Sequence, residues 1–165
     1  MGKFAQATKV SVEKTRMEIE LMLGKYGASA FGYAKDEIHN QAIIQFFSKE
    51  RQIRFMLQLP KRSESQFQFG GKGVKRKKLT EWESMNLWEQ SCRQRWRALL
   101  LCIKAKLEAV DCGISHFEDE FLANIVLPDG TTISNYIRPQ LARIAADKQM
   151  PAGLSGFLSQ STEKA

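Results

Sequence analysis

The sequence predicts a single α+β domain in which a three-stranded antiparallel meander packs against a long α-helix, with an N-terminal helix and a C-terminal helical segment. Three observations predict this fold. A capped stripe of apolar residues over 80–113 is typical of one long helix. Apolar and polar residues alternate over Gln52–Leu59, which is typical of a half-buried strand. The connections between the strand candidates are short, and short connections favour antiparallel pairing.

Length, composition and charge limit the classes of protein that fit. The chain has 165 residues, of which 43% are hydrophobic, enough for one domain with a core. Its net charge of +7 favours polyanionic partners such as DNA, RNA or an acidic protein surface. No segment has the length of apolar sequence that a membrane span needs, and Met1–Val10 lacks the apolar run of a secretory signal. We therefore expect a cytoplasmic protein with no membrane partner.

The three cysteines favour the same compartment. Cys92, Cys102 and Cys112 follow one another at ten-residue intervals along the predicted long helix. Neighbouring thiols would be about 15 Å apart along the axis, too far for a disulfide within one helix. The pattern predicts buried free thiols in a reducing environment.

The first part of the chain is predicted to be an arm followed by a helix. Residues 1–10 are expected to be a flexible arm, and the domain is expected to span residues 11–148. Ser11 can cap a helix over Val12–Lys25, in which apolar residues recur at helical spacing.

Three strands are predicted next, over Ala28–Lys35, Gln41–Ser48 and Gln52–Leu59. The second is apolar on both faces, as a central strand would be. In the third, alternate residues should face the core because side chains in a strand point to opposite sides in turn. These inward residues are Ile53, Phe55, Leu57 and Leu59.

Residues 61–79 have no periodic pattern and are predicted to be a flexible, basic, glycine-rich loop. The segment contains three glycines, at Gly70, Gly71 and Gly73, and no acidic residue between Gln66 and Thr80. Loops of this length in a compact domain are usually functional or disordered.

The long helix is predicted to begin at Thr80, because Thr80 and Glu83 have the spacing of a capping box, and to end at Gly113. Trp82, Trp88 and Trp96 are expected to be core residues. The apolar stripe comprises Met85, Trp88, Cys92, Trp96, Leu99, Ile103, Leu107 and Val110.

The C-terminal part is predicted to contain a short helix with Phe117 and Phe121 inward, and a turn over Leu127–Gly130. Residues 131–133 are expected to pair with residues 125–127. A last helix should follow over Ser134–Lys148, kinked or restarted at Pro139, and residues 149–165 should be a flexible tail. The residues of that helix expected to face inward are Ile137, Leu141 and Ile144.

The basic loop is the strongest functional signal. Glycines allow the backbone to approach phosphates closely, and the lysines and arginine supply charge that releases counterions. Phe67 and Phe69 could stack on unpaired bases. The structural alternative is a solvated loop with both rings folded onto the core. The predicted phosphate contacts in the loop are Lys72, Lys75, Arg76, Lys77 and Lys78.

A second basic feature lies on one edge of the long helix, where Arg93, Arg97 and Lys104 fall within about 40° of one another at 100° per residue. This edge is either an extension of the nucleic-acid track or a solvated border of the apolar stripe. A solvated border is the commoner arrangement, and the edge is of interest for nucleic-acid binding because the basic loop directly precedes this helix.

Enzymatic chemistry has little support in the sequence. The segment GGKGVKRKK lacks the spacing of a phosphate-binding Walker loop, and there is no nucleophile motif with a partner histidine. His116 and Glu120 are four residues apart and could ligate a metal. However, acidic residues in the first turn of a helix are also favoured by its dipole. We therefore expect no catalytic residue, no metal and no cofactor.

Two resemblances add context. The order helix, three antiparallel strands and helix, with GGKGVKRKK before the second helix, resembles the double-stranded-RNA-binding domain at the level of topology. The block RQRWRALLLCIKAKLEAVDCGISHFEDEFLANIVLPDGTTISNYI, with VSVEKTRMEIELMLGKYGA near the start, resembles small bacteriophage and prophage proteins of unassigned function. The second resemblance implies a phage protein that handles nucleic acid or blocks a host system, and that is located in the host cytoplasm.

Three functional hypotheses follow. The first is a phage-type, non-enzymatic nucleic-acid-binding protein that contacts phosphates through the basic loop and the helix edge. The alternative is a protein-interaction module that inhibits a host defence protein. The third is a metal-dependent enzyme centred on His116 and Glu120. The wide apolar stripe of the long helix is also compatible with a homodimer.

Overall fold

The computed structural model describes residues 4–71 and 76–147, and it has the predicted α+β architecture. The helices are α1 (Val12–Lys25), α2 (Ser65–Gln68), α3 (Glu81–Asp111), α4 (Phe117–Phe121) and α5 (Ile133–Asp147), with a 3₁₀ turn over Leu122–Asn124. The strands are β1 (Ala30–Asp36), β2 (Gln41–Ser48), β3 (Arg51–Gln58), β4 (Phe69–Gly70) and β5 (Lys77–Lys78). Met1–Lys3, Lys148 and the predicted tail over residues 149–165 lie outside the described residues.

The central sheet is the predicted antiparallel meander, with strand order β1-β2-β3. Its register places Tyr33 opposite Ile44, and Ile44 opposite Phe55. Lys49 and Glu50 connect β2 to β3 with positive φ angles of 47° and 59°. Two consecutive left-handed residues form the tight turn whose twist matches that of paired strands. The strand order confirms the prediction that β2 is the central strand.

One face of the sheet is covered and the other is open. α1 and α3 pack over the face that carries Ala42, Ile44 and Phe46, all of which are buried. On the opposite face, Phe47 is 41% exposed. The sequence predicts two apolar faces for β2, but only one of them is covered by the described residues. The buried apolar core consists of Ile19, Leu23, Ala42, Ile44, Phe46, Ile53, Phe55, Trp96, Leu99, Ile103, Leu107, Phe117, Phe121 and Ile125.

Helix α3 begins with the predicted capping box. The Thr80 hydroxyl accepts from the Glu83 backbone N–H at 3.3 Å, and the Glu83 carboxylate accepts from the Thr80 backbone N–H at 2.8 Å. The helix ends before Gly113, which has a φ of +70°. Most of the predicted stripe faces the core, but Met85 in the second turn is exposed.

The C-terminal segment closes the core at the edge of β3. The Val126 N–H donates to the Gln52 carbonyl at 2.8 Å, and Ile53 forms an antiparallel bridge with Ile125. Val126 also bridges Thr132, so the predicted pairing of residues 131–133 with residues 125–127 is confirmed. This segment covers one edge of the sheet and carries Phe117 and Phe121 into the core.

Helix α5 differs from its prediction. It runs continuously through Pro139. The expectation that Ile137 and Leu141 face inward is wrong, since their side chains are 36% and 58% exposed. Ile144, the third residue predicted to face inward, is half-buried. Amphipathic spacing identifies an apolar face, but burial of that face also requires a second layer against it.

The segment over residues 61–79, predicted to be a loop without regular structure, contains short elements in the structure. α2 is a single helical turn that buries Phe67 against α3. β4 and β5 form a second, two-stranded antiparallel sheet. The N-terminal arm also contacts α3. The Gln90 side-chain amide donates to the Gln6 carbonyl at 2.8 Å, and that of Gln94 donates to the Phe4 carbonyl at 2.9 Å.

The cysteines divide into two classes. Cys92 is buried, whereas Cys102 and Cys112 are exposed, so the prediction of buried thiols is correct for only the first of them. Burial raises the pKa of the Cys92 thiol to about 11. All three are free thiols.

We expect a small aromatic disulfide reagent at about pH 8 to modify Cys102 and Cys112 quickly and Cys92 only after denaturation, because a reactive thiol must be both accessible and ionised. Absorbance of the released thiolate measures the rates. Cys92→Ser is the control, and it should leave the fast phase unchanged. Three equal rates in the folded protein would contradict this assignment.

No helix among the described residues combines the length and the apolar character needed to cross a membrane.

Candidate nucleic-acid interface

The candidate interface is a small structure that immediately precedes α3. β4 and β5 pair in antiparallel register, with Phe69 opposite Lys78 and Gly70 opposite Lys77. The Leu79 N–H donates to the Gln68 carbonyl at 2.9 Å and extends the pairing. We call Phe69, Gly70, Arg76, Lys77 and Lys78 the basic hairpin.

Three of the predicted phosphate contacts, Arg76, Lys77 and Lys78, lie together on the basic hairpin and are exposed. Within the described part of the chain, none of the three forms an ion pair. Their charge is therefore available to a polyanion. Lys72 and Lys75, the other two predicted loop contacts, lie outside the described residues.

An aromatic ring lies directly beside these cations. Phe69 is 43% exposed, and the Arg76 guanidinium carbon lies 5.3 Å from the centroid of its ring. This distance permits a cation–π interaction, which orients the guanidinium beside the ring. Phe67, in contrast, is only 3% exposed and cannot receive a base in this conformation. Only one of the two predicted stacking residues is therefore available.

A second exposed ring follows the hairpin. The prediction that Trp82 is a core residue is wrong, because it is 75% exposed in the first turn of α3, four residues after Lys78. Trp96 is a core residue and is 1% exposed. Trp88 is half-buried outside the core cluster, and its indole donates to the Pro60 carbonyl at 2.8 Å. Trp82 lies three residues before Met85, a step that the apolar stripe itself contains, so its spacing does not separate it from the other two.

Two carboxylates near the hairpin already have partners. Glu81 accepts from the Arg62 guanidinium at 3.2 Å. The pKa of Glu83 is lowered mainly by its hydrogen bonds with the Thr80 N–H and hydroxyl, with a smaller contribution from the charge of Lys77. Neither carboxylate forms an ion pair with a hairpin cation, so the hairpin keeps its positive character.

The helix edge has a different electrostatic character from the one the sequence suggests. Arg93 pairs with Glu89 at 3.4 Å, one turn away on the same helix. Arg97 forms an ion pair with Glu18 of α1. Lys104 is exposed and forms no ion pair with any described residue. Of the three predicted contacts on this edge, two therefore have a carboxylate partner within the protein.

The geometry gives little support to the alternative metal site at His116 and Glu120. The Lys106 ammonium contacts the Glu120 carboxylate at 3.2 Å, and His116 is exposed at the start of α4. Within residues 4–71 and 76–147, no group of three or more His, Cys, Asp or Glu side chains is arranged to hold a metal ion. The two residues of this alternative thus gain no third partner from the described residues.

In comparisons with known proteins, no protein-family model matches the chain. Neither a curated protein nor a solved structure matches it. The resemblance to bacteriophage proteins stays a prediction, and the case for a function depends on the geometry of the basic hairpin.

Proposed function

We propose that this chain is a non-enzymatic protein that binds single-stranded nucleic acid through the basic hairpin and Trp82. The observation that carries the proposal is the combination of two exposed rings, Phe69 in contact with Arg76 and Trp82 four residues after Lys78, with three cations that form no ion pair within the described residues. Proteins that bind single strands combine positive charge, which follows the phosphates, with aromatic rings, on which bases stack. A phage context, implied by the sequence resemblance, is part of the proposal.

The mechanism follows from this chemistry. Arg76, Lys77 and Lys78 replace condensed counterions on the phosphates, and the released ions supply favourable entropy. Phe69 and Trp82 present flat faces to unpaired bases, and every base offers a π-face in return. The hairpin presents no Asn, Gln, Asp or Glu side chain for reading base edges, so we expect little sequence preference.

Fluorescence anisotropy with labelled single-stranded oligonucleotides of mixed sequence tests the proposal. We expect binding at low salt, with a slope of log affinity against log salt of about −2 or steeper if three phosphates are contacted. A duplex of the same sequence should bind more weakly, because its bases are not free to stack. Absence of binding at low salt, or an affinity that does not change with salt, would overturn the proposal.

The second candidate function is a protein-interaction module, and the exposed apolar face of α5 favours it. Ile137 and Leu141 are one turn apart on that face and both are exposed. Amphipathic helices commonly dock such a face into a groove on a partner.

For this candidate we expect the wild-type chain to retain a host protein in a pull-down after nuclease treatment, and Leu141→Glu to lose it. Ala142→Glu is the matched control, since it adds the same charge at an exposed position on a different side of the helix. Equal retention by both variants would argue against α5 as the docking element.

A further inference from the structure

A cavity lies between the first half of α1, strand β1 and the middle of α3. It is separate from the basic hairpin. Its volume is about 460 Å³, within the range of small-ligand sites. We call it the Arg16 pocket. The lining residues used in the argument are Arg16, Tyr33, Lys35, Trp88, Arg93 and Trp96.

Stacking on the Tyr33 ring is the main contact that holds the Arg16 side chain in this pocket. Its guanidinium carbon lies 3.5 Å from the centroid of the Tyr33 ring, and that ring packs against Trp96 at 5.6 Å between centroids. The Nε atom of Arg16 is buried and has no hydrogen-bond partner. No described residue supplies an acceptor to any of its N–H groups. A planar guanidinium fixed on a ring, with its donors unused, is pre-organised for a bidentate anion.

The other charged groups around the pocket have partners. Arg93 pairs with Glu89 at 3.4 Å. The Lys35 ammonium contacts Glu37 at 2.8 Å. Glu13 also lines the pocket, and its pKa is lowered by hydrogen bonds with its own backbone N–H and with Ser11 and, to a smaller degree, by the charge of Arg16. Arg16 thus has a carboxylate nearby but forms no ion pair or hydrogen bond with any described residue, so its donors can still receive an anionic group of a ligand.

The remaining wall is aromatic and rigid. The Trp88 indole is oriented by its hydrogen bond to the Pro60 carbonyl, at 2.8 Å. Trp96 is almost fully buried and forms part of the floor together with Cys92. A surface of this kind receives a flat apolar body, while Arg16 fixes the polar end.

We propose that the Arg16 pocket binds a small aromatic molecule that carries one carboxylate or phosphate group, with the anion on the Arg16 guanidinium and the ring against Trp88. The site is independent of the basic hairpin. The shared chemistry, a planar body with one anionic end, fits both an aromatic carboxylic acid and a mononucleotide.

Titration calorimetry with matched pairs of probes tests the proposal and distinguishes the two ligand types. The pairs are indole-3-acetate with indole, and adenosine monophosphate with adenosine; inorganic phosphate alone tests the anion without the ring. We expect the anionic member of at least one pair to bind about tenfold tighter than its neutral counterpart or better, the scale of one buried charge-assisted contact. Equal affinities within both pairs, or no binding up to about 1 mM, would overturn the proposal.

Variants separate this site from general charge effects. Arg16→Gln should abolish the preference for the anion, and Arg16→Lys should restore part of it, which a folding defect would not do. Lys14→Gln, an exposed position on the same helix with the same charge change, is the matched control and should leave the preference unchanged. Replacing Arg76, Lys77 and Lys78 by Gln should also leave the preference for the anion unchanged. Failure of nucleic-acid binding at the hairpin can therefore be distinguished from failure of ligand binding in the Arg16 pocket. If Arg16→Gln keeps the preference for the anionic probe, as Lys14→Gln should, then Arg16 does not bind the anionic group and the proposal is overturned.

Discussion

Replacing Arg76, Lys77 and Lys78 together by glutamine will weaken binding to single-stranded nucleic acid by roughly a hundredfold near 0.1 M salt. Each phosphate contact contributes about 0.7 to the salt slope for a single strand, so losing three contacts lowers the magnitude of the slope by about 2. The three side chains are exposed and glutamine keeps much of their length, so the fold should be unaffected. Anisotropy titrations over a series of salt concentrations measure both quantities.

The matched control removes three other exposed charges, Lys9, Lys14 and Lys25, which lie on α1 or just before it. This variant has the same net charge as the hairpin variant. If binding depends on the hairpin, the control should keep most of its affinity and its salt slope. An equal loss in both variants would mean that total charge, and not the hairpin, governs binding.

The rings can be tested separately from the charges. Trp82→Ala should weaken binding by about 1–3 kcal/mol, the usual range for one stacked base, and should leave the salt slope unchanged. Met85→Ala, one turn along the same helix and also exposed, is the control. An unchanged affinity for Trp82→Ala would remove this ring from the interface.

Phe121→Ala will destabilise the fold by about 3–5 kcal/mol, the largest effect we expect for a single substitution. Phe121 is fully buried, and its ring centroid lies 4.7 Å from that of Phe117, 6.1 Å from that of Phe46 and 6.3 Å from that of Phe55. It thereby joins the C-terminal segment to β2 and β3. Truncation leaves a cavity bordered by three rings that cannot easily collapse into it.

Urea denaturation measures this loss, which is a large part of the 5–15 kcal/mol typical of a domain. Leu122→Ala, at the next position, is the control: Leu122 is 49% exposed, so its truncation should cost less than about 1 kcal/mol. A comparable loss in both variants would show that Phe121 does not have the structural role described.

Local signals in the sequence predicted much of the fold. α1 and β2 have the predicted bounds, and α3 starts at the predicted capping box, because caps, turns and periodicity depend on residues near one another in the chain. The two-residue offset at the start of β1 is of the kind that propensity cannot resolve.

The interface was harder to predict because it depends on distant neighbours. The ion pair between Arg97 and Glu18 joins residues 79 positions apart, and no spacing rule indicates it. The exposure of Trp82 and Leu141 depends on whether another element covers them, which composition does not specify. The charge of the hairpin and the i,i+4 spacing of Glu89 and Arg93 are visible in the sequence, whereas the Glu18 partner of Arg97 is not.

The capping box at Thr80 has a consequence for recognition. Because it fixes the first turn of α3, the backbone that carries Trp82 is ordered before any ligand arrives. When a base stacks on this indole, only the two side-chain torsions of Trp82 lose freedom, because the backbone is already ordered. Little conformational entropy is therefore lost on association. Pre-organisation of this kind should appear as slow dissociation from a site that contains few contacts.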